Sequence, residues 1–294
     1  MARILVIASF TPSLIKFRGD MLRAFVAAGH EVTCCSPAPD QDSLDRLEEI
    51  GATHRSYRLQ RAGLNPLADL TTYRDLGRII SETSPDHVLS YTIKPVIYGS
   101  LAAAARGVGS IHAMITGLGT TFIDTSPRGQ LVGAYAKFMY RKALRRCRTV
   151  FFQNPDDRDT FLAGDLVAPA KVVLINGSGV NLEQFPRSPL PPGPPVFLMI
   201  SRLIRDKGPV EFAEAARIVK ARHPEAVFRL VGFFEDHPRA VGPARVKEWT
   251  DSGTLEFLGF LDDVRPALRK CTVYCLPSYS EGTPRTVLEA MAVG

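Results

Sequence analysis

PRSPLPPGPPVFLMIS, residues 186–201, carries six prolines in its first ten positions and then an apolar run of strand length. Proline fixes φ and donates no backbone hydrogen bond, so 186–195 can be neither helix interior nor central strand and must run as a stiff, extended connector. The run after it, PVFLMIS (195–201), has the length and composition of a buried strand. A connector followed by a strand marks the start of a second sheet.

On the N-terminal side, apolar runs alternate with helix-length segments: ILVIAS (4–9), EVTCCS (31–36), HVLS (87–90), SIHAMIT (110–116), TVFFQ (149–153) and KVVLI (171–175). On the other side come VFRLVG (227–232), LEFLG (255–259) and VYCLP (273–277), with helices from about Val210, near 243–250 and from Pro284. Strands that are apolar without clean alternation, separated by helices, indicate parallel strands covered on both faces. The pattern predicts an α/β protein with two doubly wound, Rossmann-like domains. Residues 1–184 form the first, 185–195 the Pro-rich linker and 196–294 the second. The second shows four strands and stops inside a helix at Met291–Gly294, so it is expected to be incomplete at its C-terminus.

Bulk properties narrow the class. With 294 residues, 45% hydrophobic and 22% charged, the chain has room for two cores and is far from disordered or fibrous compositions. No apolar run approaches the ~18 residues of a membrane-spanning helix, and MARILVIASF has a strand's length without a small-residue cleavage site, so a cytoplasmic location is expected. Cys34, Cys35, Cys147, Cys271 and Cys275 are odd in number and form no CxxC pair, so they read as reduced and structural. Residues 1–190 carry 22 Lys+Arg against 17 Asp+Glu, while 191–294 carry 14 against 13. The basic excess lies in the first part.

Ligands of open α/β sheets bind at the C-terminal ends of the strands. The loop after PVFLMIS offers Arg202 and Lys207, one a bidentate fork and one a point charge, which together could neutralise a pyrophosphate. Taken alone, it could equally be a solvated turn with Lys207 paired to Asp206. A second element follows VYCLP. Thr283 is a candidate N-cap with Pro284 at the first helical position, and the amides of Arg285, Thr286 and Val287 would then face an anion. Glu281 ahead of the helix and Glu289 two turns inside it would sit at different depths of one crevice, where they could hold sugar hydroxyls. Each could be an ordinary surface charge by itself; combined with the Arg/Lys loop, the ligand-binding reading prevails.

R-L-x-x-x-K-G at 202–208 and E-G-x-P-x-x-x-L-E-A at 281–290 resemble, in order and spacing, the donor-site motifs of family 4 retaining glycosyltransferases of the GT-B fold. From Arg3 to Gly294 the chain follows that family's order, including Phe17, Arg18 and Gly19, the segment GLGTTFID (117–124) and NGSGVNLEQF (176–185). The likeness is nearest to bacterial enzymes that add an N-acetylhexosamine to an undecaprenyl-diphosphate-linked sugar.

The resemblance implies that Arg202 and Lys207 bind the donor diphosphate, that Glu281, the catalytic residue, contacts the transferred sugar, and that Glu289 hydrogen-bonds the ribose. Gly282, Thr283 and Pro284 would approach the donor through their backbone. Gly19 would let a first-domain loop come close to the phosphates, and Gly232 and Phe233 would lie near the base. Arg18, Thr116 and Gly117 would be sugar-proximal or on the acceptor side. Many family members carry His where this chain has Thr116; a hydroxyl donates a hydrogen bond but carries no positive charge, so that contact should be weaker. His112, inside an apolar run, reads as a core histidine. No cofactor or metal is implied beyond the nucleotide-sugar substrate, UDP-linked by resemblance. The partners implied are that donor and a lipid-diphosphate-linked saccharide. Because the family continues past the position of Gly294 and forms its cleft between domains, donor binding by this chain is expected to be impaired.

Residues 125–155 contain no acid but hold Arg128, Lys137, Arg141, Lys142, Arg145, Arg146 and Arg148, with Tyr135, Met139 and Ala143 at helical spacing opposite them. Two readings stand for 128–148: a helix lying on the anionic inner face of the plasma membrane, or a solvated basic face. Nucleic acid is disfavoured, since no aromatic-interleaved basic platform accompanies the charge. The rival functions are a non-catalytic nucleotide-sugar-binding or membrane-docking fragment, and a GT-B-shaped epimerase or phosphorylase.

Overall fold

A computed structural model describes residues 1–61, 63, 65–118, 126–236 and 239–294, without the side chains of 127 and 128. It divides into two compact units, Met1–Ser178 and Gly179–Gly294. The division falls ahead of the Pro-rich segment because residues before that segment already belong to the second core. Phe185 is buried there with Leu198, Ile200 and Val293, and the Ser188 N–H donates to the Val293 carbonyl at 2.7 Å.

The first unit is a seven-stranded sheet in the order β3-β2-β1-β4-β5-β6-β7, every paired neighbour parallel. The strands are β1 Arg3–Ile7, β2 Glu31–Ser36, β3 Thr53–Ser56, β4 His87–Tyr91, β5 Ser110–Ile115, β6 Thr149–Phe152 and β7 Val172–Leu174. Helices α1 Thr11–Ala27, α2 Gln41–Ile50, α3 Pro66–Thr83, α4 Ser100–Ala105, α5 Pro127–Leu144 and α6 Pro155–Ala163 connect them. Alternate residues of one strand feed opposite cores, as the pleat requires: Leu5 and Ile7 join Val88, Ala113 and Phe152, while Ile4 and Val6 join Cys34, Leu89 and Met114. Each fully buried Leu, Ile or Phe is worth about 1.5–3 kcal/mol relative to exposure. Strands covered on both faces therefore read as unbroken apolar runs. β3, THRS, has no such signature because it is a four-residue edge strand with little burial.

The second unit has the sheet order β10-β9-β8-β11, also parallel, from β8 Val196–Ile200, β9 Val227–Val231, β10 Glu256–Phe257 and β11 Val273–Tyr274. Its helices are α7 Pro209–Lys220, α8 Pro243–Asp251, α9 Arg265–Arg269 and α10 Arg285–Val293. One face packs Met199 and Leu230 with Phe212 and Trp249; the other packs Leu198 and Val231 with Leu268 and Val293.

Candidate functional site

In the second unit, the segments past β8, β9 and β11 are tied together by backbone hydrogen bonds. Ser201 N–H donates to Val231 O at 3.0 Å, Leu203 N–H to Phe233 O at 3.3 Å, Val241 N–H to Leu203 O at 2.7 Å and Tyr279 N–H to Asp206 O at 3.0 Å. Two glycines make this stitching possible. A Cβ on Gly208, whose φ is +79°, would lie 2.1 Å from the Pro277 carbonyl oxygen, and one on Gly232 would lie 2.2 Å from that of Ser201. No other residue fits either position without moving backbone.

Gly208 ends a short 3₁₀ turn over Arg205–Lys207, and that turn aims Lys207 across to the segment before α10. Its Nζ donates to Glu281 Oε1 at 2.6 Å and to the Ser280 carbonyl at 3.4 Å. Arg202 goes elsewhere. Its Nη1 lies 3.3 Å from Glu235 Oε2, on the loop after β9. The two cations expected to converge on 281–289 are thus drawn to different carboxylates, because Arg202 leaves β8 ahead of the 3₁₀ turn and Lys207 at its end. Asp206, the alternative partner for Lys207, is held by Arg239 at 2.8 Å instead.

The helix starts one residue later than its sequence suggests. Pro284, extended at φ −70° and ψ 112°, is the cap, Arg285 is the first helical residue, and no side chain caps the helix. Thr283 lies outside the capping position because the proline's ψ keeps it in the extended approach. Val287 N–H already donates to Pro284 O at 3.1 Å, which leaves Arg285 and Thr286 as the first-turn amides without an intrahelical carbonyl in range. Gly282 lies between Glu281 and that approach. Arg285 Nε donates to Glu289 Oε1 at 2.9 Å, and both side chains are largely buried.

Tyr274, which reads in the sequence only as a strand residue, ties these parts together. Its hydroxyl donates to Ile200 O at 3.2 Å and interacts with the Thr286 side chain. Burial pushes its phenol pKa upward, and the Glu289 and Glu281 carboxylates add to the shift. Both carboxylates therefore act on one half-buried phenol at the end of β8. Glu235 and Tyr274 carried no motif signal. Phe260 joins them: its ring meets that of Phe233 edge-on at 5.8 Å, and both are about half exposed at the ends of β10 and β9.

In the first unit, Gly19 lies inside α1 and not in a loop, because Pro12 starts a helix that runs through Ala27. A Cβ there would meet only Arg23 Nη1, at 3.5 Å. Arg18, on the same helix, is buried, donates to Ser178 Oγ at 2.6 Å and lies 5.1 Å from the centre of the Tyr91 ring. Thr116 and Gly117, the latter at φ +148°, follow β5 directly. The remainder of GLGTTFID, from 119 to 124, is outside the described residues. His112 sits mid-strand against His87, ring centres 5.9 Å apart, and Phe151; burial first, then His87 and Arg148, lower its pKa. The Cys34 thiol, fully buried, is pushed up to about 12. Among the described residues no helix is long and apolar enough to cross a membrane.

Two family models match the chain: the glycosyl transferase 4-like domain over residues 16–177 and glycosyl transferases group 1 over 180–294. Among curated proteins, it is 28% identical to the N,N'-diacetylbacillosaminyl-diphospho-undecaprenol alpha-1,3-N-acetylgalactosaminyltransferase of Campylobacter jejuni, over 96% of this chain and 76% of that protein. It is 26% identical to the UDP-Gal:alpha-D-GlcNAc-diphosphoundecaprenol alpha-1,3-galactosyltransferase of Escherichia coli, over 78% of this chain but 61% of that one. Among solved structures, a glycosyltransferase from Rickettsia africae superimposes with a TM-score of 0.72 at 19% identity, over 99% of this chain and 77% of that one. With the first family model spanning more than half of its length, the chain belongs to the glycosyl transferase 4-like family, in which two Rossmann-like sheets make the GT-B fold.

Proposed function

We propose that this protein moves a sugar, an N-acetylhexosamine, from a UDP-sugar to a hydroxyl of a lipid-diphosphate-linked saccharide, with retention of anomeric configuration. The unit from Gly179 to Gly294 serves as the donor domain and that from Met1 to Ser178 as the acceptor side. The observation that carries the reading is the 2.6 Å contact between Lys207 and Glu281. It brings a diphosphate-binding cation and a sugar-binding carboxylate from two separate motifs to one point beside the start of α10. The acceptor class is supported by the Campylobacter and Escherichia relatives, whose names specify undecaprenol-linked diphosphate substrates.

In the reaction, the bond between the anomeric carbon and the diphosphate oxygen breaks, and its electron pair leaves with UDP. The acceptor oxygen bonds to the anomeric carbon on the same face, and its proton passes to a donor phosphate oxygen. Negative charge grows on the leaving diphosphate, where Lys207, Arg202 and the first-turn amides of α10 offer preorganised positive potential. Glu281 accepts hydrogen bonds from the sugar, and Glu289 from the ribose.

The test is a panel of UDP- and GDP-sugars offered with an undecaprenyl-diphosphate-linked saccharide, read by product mass and anomeric configuration. Transfer with retention from a UDP-N-acetylhexosamine, lost in Lys207→Ala, is expected. UDP binding that depends on Lys207, with no transfer from any donor, would replace the reading with a binding-only protein.

A further inference from the structure

We infer that Tyr279 is a positioning residue, whose hydrogen bond to Glu211 of α7 keeps Glu281 in reach of the sugar after a donor diphosphate has drawn Lys207 away from it. The inference rests on the sugar-transfer reading, which assigns Lys207 to the diphosphate and Glu281 to the sugar.

The segment before α10 is held against the 3₁₀ turn over Arg205–Lys207 in two ways. One runs through the backbone, where Tyr279 N–H donates to Asp206 O at 3.0 Å. Asp206 is itself fixed, its carboxylate paired with Arg239 at 2.8 Å. The other runs through Lys207, whose ammonium donates to the Ser280 carbonyl and to Glu281 Oε1. Ser278 adds little, because its Oγ lies 3.2 Å from both Asp206 O and Ser280 O and has one proton to offer.

A diphosphate does not act on these two holds equally. Its oxygens compete for the Lys207 ammonium, and so for the contacts that restrain Ser280 and Glu281. The Tyr279 hold is outside that competition. Its phenol donates to Glu211 Oε1 at 2.7 Å. Glu211 stands in the first turn of α7, a helix seated in the core through Phe212, Ala213 and Ala216. Only Ser280 separates Tyr279 from Glu281, so a tyrosine fastened by both its amide and its phenol leaves the carboxylate little room to move.

Packing gives the ring no reason for its direction. Tyr279 is 73% exposed, and what it meets at its end is the Glu211 carboxylate. The hydrogen bond to Glu211, and then the charge of that residue, raise the phenol pKa, which keeps the proton on the donor. Loss of the bond should therefore leave the protein folded and its grip on a nucleotide intact, and tell only where a sugar must meet Glu281.

The experiment is calorimetric titration of the 294-residue chain with UDP, UDP-N-acetylglucosamine and UDP-N-acetylgalactosamine. Tyr279→Phe should leave UDP affinity and the thermal midpoint unchanged and lower the affinity for the better-bound sugar nucleotide about 5-fold, the equivalent of one hydrogen bond. Glu211→Ala should do the same, and combining the two should add nothing. Glu211→Gln, whose amide oxygen still accepts the bond, should keep most of the affinity. Equal loss for UDP and the sugar nucleotide in Tyr279→Phe, or no loss for either, overturns the inference. Glu281→Ala separates that failure from failure of the reading beneath it. If it weakens the sugar nucleotide alone while Tyr279→Phe does not, Glu281 meets the sugar and the tyrosine does not position it. If it spares the sugar nucleotide as well, the assignment of Glu281 to the sugar falls, and the inference with it.

Discussion

Lys94 and Lys207 invite comparison, since each follows a parallel strand and each meets a carboxylate, at 2.7 Å for Asp69 and 2.6 Å for Glu281. Their surroundings differ. The Lys94 pair is closed in, with side chains 12% and 6% exposed, and Asp69 is shared with the buried Tyr98 phenol. Glu281 is 25% exposed, lies in the loop between β11 and α10, and has a second carboxylate acting on the same neighbouring tyrosine. An ion pair that is enclosed and fully engaged fastens a fold, whereas one that keeps an open side can exchange its partner for a ligand. Distance alone does not separate the two.

Removing one carboxylate from each pair should separate the two most widely. Asp69→Ala would leave a buried ammonium uncompensated, which costs about 3–5 kcal/mol. Chemical denaturation should show that loss in the first unit. Glu281→Ala should cost less than that, because its pair is the more open of the two, 16% and 25% exposed against 12% and 6%. Equal losses would mean that the second pair is structural as well.

Next in size is the glycine contrast. Gly208→Ala combines a left-handed backbone with a collision against Pro277, and about 2–4 kcal/mol should be lost from the second unit's stability. Gly19→Ala, which meets only the end of Arg23, should leave stability unchanged or raise it by about 0.5–1 kcal/mol, as expected for glycine replaced inside a helix. If Gly19→Ala nonetheless reduces transfer, the glycine serves the approach of a ligand and not the packing of α1.

Smaller again is the effect of Lys207→Ala on UDP affinity, which calorimetry should show weakened by about 1.5–3 kcal/mol, the worth of a hydrogen bond to a charged group. Arg202→Ala should weaken it less, because its side chain is 47% exposed against 16% for Lys207 and water and salt screen it more. Each cation already rests on a carboxylate, Arg202 on Glu235 and Lys207 on Glu281, so Glu235→Gln should tighten binding by removing one competitor.

Much of this was legible in the sequence, and what was not has a common cause. The buried strands announced themselves because burial on both faces leaves only apolar residues, and β3 escaped because an edge strand needs none. The order of 202–208 and 281–290 anticipated that Lys207 and Glu281 would meet, since loops past adjacent parallel strands end on the same edge of the sheet. The choice of partner was not legible. Whether Arg202 meets Glu281 or Glu235 depends on where one 3₁₀ turn lies, and Tyr274 became part of the site only because α10 lays Thr286 and Glu289 against it. Gly19 in α1 and Pro284 as cap show the same limit. Composition gives the element, but register within it depends on neighbours the sequence does not reveal.

The last and smallest effect concerns pH in the first unit. Burial disfavours the charged form of His112, with His87 and Arg148 adding repulsion, so its folded pKa lies below the ordinary imidazole value; burial shifts His54 the same way. The unfolded chain therefore binds more protons than the folded one as pH falls through the imidazole range. Stability is fully present above the unfolded value, declines below it, and stops declining once the folded value is passed. His112→Gln should remove one of these contributions and flatten the acid-side slope by about 1 kcal/mol per pH unit. Urea midpoints measured from neutral to mildly acidic pH will show it. A slope unchanged by the substitution would mean that burial does not hold the His112 imidazole below its ordinary value.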